Sequence, residues 1–370
     1  MAQGPPRDLR AIGARFVIPG TPRTAVAYGS GHINETYAAT YDQAGTPVRY
    51  VHQRINHHVF REPERLMDNV ARVLAHAATR VADLPDASRR ALTLVPARDG
   101  RPFVVDDEGA IWRTYLFIER TRTYDIVETP AQAEAAARAF GTFQAQVADL
   151  PGERLHDTIP DFHHTRRRFD AFVRAVDADA CNRAIECRDL IDVALAHEAD
   201  ADRLQTAAET GAVPERVTHN DTKINNVMMD EASGEALCVV DLDTTMPGLA
   251  PIDFGDMVRT ATNAAAEDEP DPSRVASRPE MFEALVRGYL SSAGDFLLPT
   301  EVEWLAFAGQ LLAYEQAIRF LGDHLQGDTY YRIHRPGHNL ERARAQLALM
   351  TSIAKQRDAY EAIVGRYARG

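Results

Sequence analysis

Two short stretches of the chain concentrate the side chains that could do chemistry. One reads His219-Asn-Asp-Thr-Lys-Ile-Asn-Asn-Val-Met228, the other Val239-Val-Asp-Leu-Asp-Thr244. Within them the spacing His219-x-Asp221-x4-Asn226 stands out, and Asp241 closes an apolar run. Moving a phosphoryl group from a nucleotide to an alcohol needs such a set. One carboxylate orients the acceptor hydroxyl and takes its proton, while a second carboxylate and an amide oxygen hold Mg²⁺ against the phosphates. Oxygen ligands suit that hard cation, and a lone histidine is a poor start for zinc. Taken singly, each Asn or Asp could simply cap a turn. The joint spacing is what points to a site.

The elements that must position these residues are of two kinds. Before residue 120 the pattern is strand-like over 24–28, 35–41 and 48–55, with a turn at 43–47. Gly29-Ser30-Gly31 lies between the first two strands. Glycine there permits positive φ and close approach of N–H groups to a phosphate, although an isolated GxG reads as a plain hairpin turn. Leu66, Val70, Val73, Leu74, Ala77 and Val81 recur at three- and four-residue steps and predict a helix over 63–82. Strands are expected at 91–97 and 110–119.

Helical patterns follow at 130–150, 167–178, 187–208, 278–293, 300–325 and 339–360, with Thr129 as N-cap and Pro130 at the first helical position of the first of them. The run 236–242 is a strand in their midst. The acidic stretch 267–272 reads as a solvated connector. The expected fold class is α+β, with a β-rich lobe over 1–120, a mainly helical lobe over 121–370, and ligands between them.

With 41 Lys+Arg against 54 Asp+Glu, the formal charge is −13. That balance argues against a general binder of nucleic acid or anionic membrane and leaves room for a small anion held by local cations. Cys181, Cys187 and Cys238 offer neither a disulfide framework nor a CxxC pair. The N-terminus has no signal-type apolar segment, and the most apolar window, 304–314, is too short to span a bilayer. The expectation is a reduced, cytoplasmic, monomeric protein.

The His219–Met228 and Val239–Thr244 segments resemble the catalytic and metal loops of the aminoglycoside phosphotransferase and choline kinase superfamily, which shares the bilobal protein-kinase-like fold. Tyr28-Gly-Ser-Gly-His-Ile-Asn-Glu-Thr-Tyr37, Gln53-Arg-Ile-Asn56, Val240-Asp-Leu-Asp-Thr-Thr-Met-Pro-Gly248, Asp253-Phe-Gly-Asp256 and Arg319-Phe-Leu-Gly-Asp323 look like segments of bacterial N-acetylhexosamine 1-kinases. The resemblance extends from about residue 28 to about 345.

It implies ATP as donor, Asp221 as base and acceptor-orienting group, Asn226 and Asp241 as Mg²⁺ ligands, and His219 as a brace for the loop. Asp243 becomes a second acid near the metal strand. Asp253-Phe-Gly255 spells the protein-kinase metal motif but follows no apolar strand, so Asp253 and Asp256 are expected to hold the loop by hydrogen bonds. Gly29, Ser30 and Gly31 become a phosphate-covering loop, and His32, Asn34 and Arg319 sugar contacts. Arg54 takes the strand position of the kinase lysine, with Glu64 or Asp68 as its partner. Backbone near Ile118 would read the adenine edge, with Tyr115 and Phe117 packed around it. The implied reaction is phosphorylation of the anomeric hydroxyl of an N-acetylhexosamine. An aminoglycoside, choline, homoserine or plain hexose acceptor, or a non-catalytic binding module, are the alternatives.

Overall fold

Alternation along five antiparallel strands gives the first sheet its two faces. The computed structural model describes residues 7–29 and 33–368. β1 (Thr21–Ala27), β2 (Glu35–Gln43), β3 (Thr46–Arg54), β4 (Val104–Val105) and β5 (Ile111–Leu116) lie in the order β1-β2-β3-β5-β4. The register sets Glu35 opposite Arg54, Arg54 opposite Trp112, and Gln53 opposite Arg113. Ala39, Tyr41, Tyr50 and Trp112 pack on one face with Ile12 and Phe16. Residues of opposite parity, among them Val51 and Tyr115, join a second cluster that includes Phe143, Leu237 and Leu242 from beyond the sheet. Side chains of that parity therefore point toward the second part of the chain.

Helix Pro63–Val81 buries Leu66, Val70, Val73, Leu74, Ala77 and Val81, the stripe its periodicity predicts. Helix Pro130–Val147 opens with a capping box between Thr129 and Gln132 and packs against helix Pro279–Ala293. Helix Leu305–Leu325, buried over most of its length, is flanked by Thr165–Ala178, Ala250–Ala261 and His338–Lys355. Five short strands carry the chain through this part: β6 (Thr121–Arg122), β7 (Arg216–Thr218), β8 (Val227–Asp230), β9 (Ala236–Val239) and β10 (Met246–Gly248). β6, β8 and β9 form one small sheet, and β7 pairs with β10. The class is α+β, a sheet followed by a mainly helical part.

Several expectations change. Residues 91–97 make only isolated bridges, Leu94 to Tyr115 and Ala97 to Phe16, and Pro96 lacks the N–H a regular ladder needs. The 187–208 pattern is two helices, Arg188–Ala196 and Glu198–Glu209, broken at His197. Helix Ala250–Ala261 is absent from the expected elements; its polar stripe of Asp253 and Asp256 is buried along with its apolar residues. The 267–272 stretch is no mere connector, because Glu267 pairs with Arg259 at 2.8 Å and Glu269 is buried.

Candidate active site

The loop over 219–226 hangs between the two small sheets, entered from β7 and left by β8. Asn220 adopts φ +64°, a left-handed conformation that Asn tolerates better than most residues. Its amide donates to the carbonyls of Thr218 and Thr244 at 3.3 and 3.0 Å. Beneath it, the buried Asp253 carboxylate accepts the backbone N–H groups of His219 and Asn220 at 2.8 and 2.7 Å and the Gln144 amide at 2.6 Å. These bonds satisfy loop donors that burial would otherwise strand. The His219 ring spans the gap to the segment after β9 that carries Asp241. Its Nε2 donates to the Val240 carbonyl at 2.9 Å, and its Nδ1 accepts the Asp221 N–H at 3.2 Å, which fixes the tautomer.

Asp221 is thereby placed beside Asn226 and Lys223. The Asn226 amide donates to the Asp221 carbonyl at 2.8 Å and to its carboxylate at 3.0 Å. The Lys223 ammonium lies 2.8 Å from the other carboxylate oxygen. Burial pushes the Asp221 carboxyl up, but Lys223, together with His219 and the Asn226 amide, outweighs it and holds the group at about 2. Asp241, at φ +59° next to the turn Leu242–Thr244, behaves oppositely. Its side chain is exposed at the edge of the site, yet the surrounding protein, and then the neighbouring charges of Asp243 and Asp221, push its carboxyl up to about 7.

This crowding of negative charge is what a divalent cation relieves. Asn226 Oδ1 and the Asp241 carboxylate are hard oxygens suited to Mg²⁺. Among the described residues no three His, Cys, Asp or Glu groups form a metal cage. Asn226 and Asp241 could supply two oxygen ligands to such an ion.

Asp243 is engaged from the sheet. Arg113 of β5 pairs with its Oδ1 at 2.5 Å, and Asn34 donates to its Oδ2 at 2.6 Å. Arg113 also donates twice to Gln53 Oε1, at 2.9 and 2.7 Å. Arg54 differs from expectation. Its parity places it on the Trp112 face, where it meets Glu35 at 2.9 Å, Glu108 at 3.4 Å and Asp106 at 3.9 Å, away from the loop. Neither Glu64 nor Asp68 pairs with it. The cation that the sheet directs to the site is Arg113.

The remaining expected residues are scattered. Gly29 has φ +83°, with open space where a Cβ would stand, so backbone conformation and not crowding favours glycine there. Ser30, Gly31 and His32 lie outside the described residues. Asn34 also accepts the Asn56 N–H at 3.0 Å, so both ends of its amide are used internally. Ile118 is buried just past β5, and its carbonyl accepts the Thr121 hydroxyl at 3.0 Å. Tyr115 packs in the core, whereas Phe117 lies under Arg49 and edge-on to Tyr28. Asp256 makes its side-chain bonds to Arg259, at 2.8 and 2.9 Å, rather than to the loop.

Arg319 lies against the rings of Phe162 and Tyr331 and 3.9 Å from Glu315. Glu315 in turn accepts from His163 at 2.7 Å, and the other His163 nitrogen bonds the Asn220 carbonyl at 3.0 Å. Arg319 thus reaches the loop through two intermediaries.

Arg113, Lys223 and the His163–Glu315 pair were not singled out from sequence. Lys223 stands two residues after Asp221 and could have been noticed. Arg113 would have required knowing the β3–β5 register.

A model described as the phosphotransferase enzyme family matches residues 24–298. Among solved structures, the fold resembles that of an aminoglycoside phosphotransferase from Alicyclobacillus acidocaldarius subsp. acidocaldarius (TM-score 0.62, 12% identity, covering 100% of this chain and 98% of that one). It also resembles a microcompartment-associated aminopropanol kinase (0.57, 15%, 95% and 98%). A third is a spectinomycin phosphotransferase in complex with ADP and spectinomycin (0.51, 12%, 94% and 96%). At these identities the likeness concerns the fold.

Proposed function

The chain belongs to the phosphotransferase enzyme family, and on that premise we propose that it phosphorylates the anomeric hydroxyl of an N-acetylhexosamine with ATP, yielding the sugar 1-phosphate and ADP. The observation that carries the transfer chemistry is Asp221, half-buried in the loop and held ionised beside Lys223 and Asn226. An ionised carboxylate there accepts a hydrogen bond from the acceptor hydroxyl, aligns it with the γ-phosphorus and receives its proton as the bond to phosphorus forms. Lys223 offsets charge on the transferring group. Asn226 and Asp241 would hold Mg²⁺, which supplies charge neutralisation at the phosphates. Asp253, His219 and Asn220 keep the loop in place, so little reorganisation is needed at the moment of transfer.

The sugar reading rests on the motif resemblance and on charge. The acids near Lys223 and Arg319 are already engaged: Glu315 by His163, while Asp256 and Glu267 share Arg259. Such surroundings suit a neutral polyol better than an ammonium group. A small amino alcohol is the second reading, favoured by the fold likeness to an aminopropanol kinase. Product analysis across both classes of acceptor decides between them.

A further inference from the structure

Arg168 and Arg319 line one cavity of about 160 Å³ between helices Thr165–Ala178 and Leu305–Leu325. Both also grip Phe162. Arg168 donates Nε and Nη2 to its carbonyl at 3.1 Å, and the Arg319 guanidinium lies 5.2 Å from its ring centre. Two cations facing one small space are only partly answered by acids. Glu315, 3.9 Å from Arg319, is committed to His163 and Thr165 at 2.7 Å each. Asp323, which also lines the cavity, accepts the N–H groups of Thr329, Tyr330 and Tyr331 and the Asn339 amide. Arg168 makes no ion pair among the described residues. Burial, with the charge of Arg319 adding to it, holds its guanidinium below the usual range. Tyr330, 63% exposed, and Tyr331 border the space.

We propose that this cavity binds a small oxyanion, the phosphate or carboxylate of a ligand, between Arg168 and Arg319. Guanidinium groups match the planar or tetrahedral array of such oxygens with paired hydrogen bonds. The volume is that of about five water molecules, enough for one such group. The anion is taken free from solution, because the proposed acceptor carries no oxyanion of its own, and the site does not depend on which acceptor the enzyme uses.

Calorimetric titration of the full chain with inorganic phosphate, without nucleotide or Mg²⁺ and at fixed ionic strength, tests this. Saturable binding is expected, at least tenfold weaker in R168Q. R168K, which keeps the charge, should lose less, and melting curves of both variants report their folding. R113Q should bind phosphate as the wild type does. Absence of saturable binding, equal affinity in R168Q, or loss in R113Q alone would overturn the proposal. Phosphate is expected to leave the acceptor KM unchanged; inhibition competitive with the acceptor would place the anion in the acceptor's own subsite and overturn a separate oxyanion site. Binding is read without turnover, so this result stands apart from the acceptor's identity.

Discussion

Arg113 on β5 and Asp243, two residues past Asp241, form an ion pair at 2.5 Å with 1% and 2% of their side chains exposed. The pair ties the sheet to the strand end that carries the metal-side carboxylate. Breaking it from one side leaves a buried charge unmatched, at a cost of about 3–5 kcal/mol. R113M and D243N are each expected to lower stability by that order in urea denaturation. The double variant should recover part of the loss. Strictly additive losses would mean that the two groups are not coupled.

The two arginines near the sheet should separate in kinetics. Arg54 meets Glu35, Glu108 and Asp106 on the far face, whereas Arg113 points to the site. R54A is expected to change the ATP KM by less than about twofold, because Arg54 lies on the face turned away from the site. R113Q should raise it or lower kcat by more than about tenfold, as for a lost charged contact. The reverse ranking would restore Arg54 to the phosphate site.

Asp241 gives a pH dependence with a definite sign. Its carboxyl is pushed up to about 7, so between the ordinary carboxylate range and about 7 the folded chain holds a proton that the unfolded chain has lost. That contribution to metal-free stability is present at low pH and is lost as pH rises through about 7. Mg²⁺ binding must expel the proton. Its affinity, measured by calorimetry, should therefore rise by up to about tenfold per pH unit below 7 and level off above. D241N should remove the slope.

The His163–Glu315 pair behaves differently. Against the opposing effect of burial, Glu315 holds the His163 imidazolium above its usual range, and His163 holds Glu315 at about 2. The histidine's share of stability is full below its unfolded pKa and lost as pH rises through the raised value. The glutamate's share is lost only as pH falls toward about 2. E315Q should therefore cost most near pH 5–6, about 3 kcal/mol, and less at pH 9. Melting curves across that range measure it, and a gap that does not change with pH would show that the pair is not ionic.

Much of this architecture is legible in residue spacing. The stripe from Leu66 to Val81 and the N-cap at Thr129 are local features, and local patterns survive folding. Helix Ala250–Ala261 is short, opens on Ala-Pro and buries its acids with its apolar residues, and it carries Asp253, the acid beneath the loop. The loop residues Asp221 and Asn226 stand close in sequence, so their meeting is legible too. Arg113 and Asp243 are 130 positions apart, and their contact depends on a strand register and the approach of two parts of the chain. Arg54 and Gln53 differ by one position, which in a strand means opposite faces; parity alone decides which of them faces the site.

The most direct test is ³¹P NMR of the products formed from ATP and Mg²⁺ with a panel of acceptors: N-acetylglucosamine, N-acetylgalactosamine, plain hexoses, ethanolamine, choline, aminopropanol and an aminoglycoside. The expected result is ADP and a phosphate monoester whose phosphorus couples to the anomeric proton of an N-acetylhexosamine. D221N should reduce kcat by about 10²–10⁴ with little change in nucleotide binding. A product phosphorylated on an amino alcohol, or at a hydroxyl other than the anomeric one, would contradict the sugar assignment. Near-wild-type turnover by D221N would contradict the role given to Asp221.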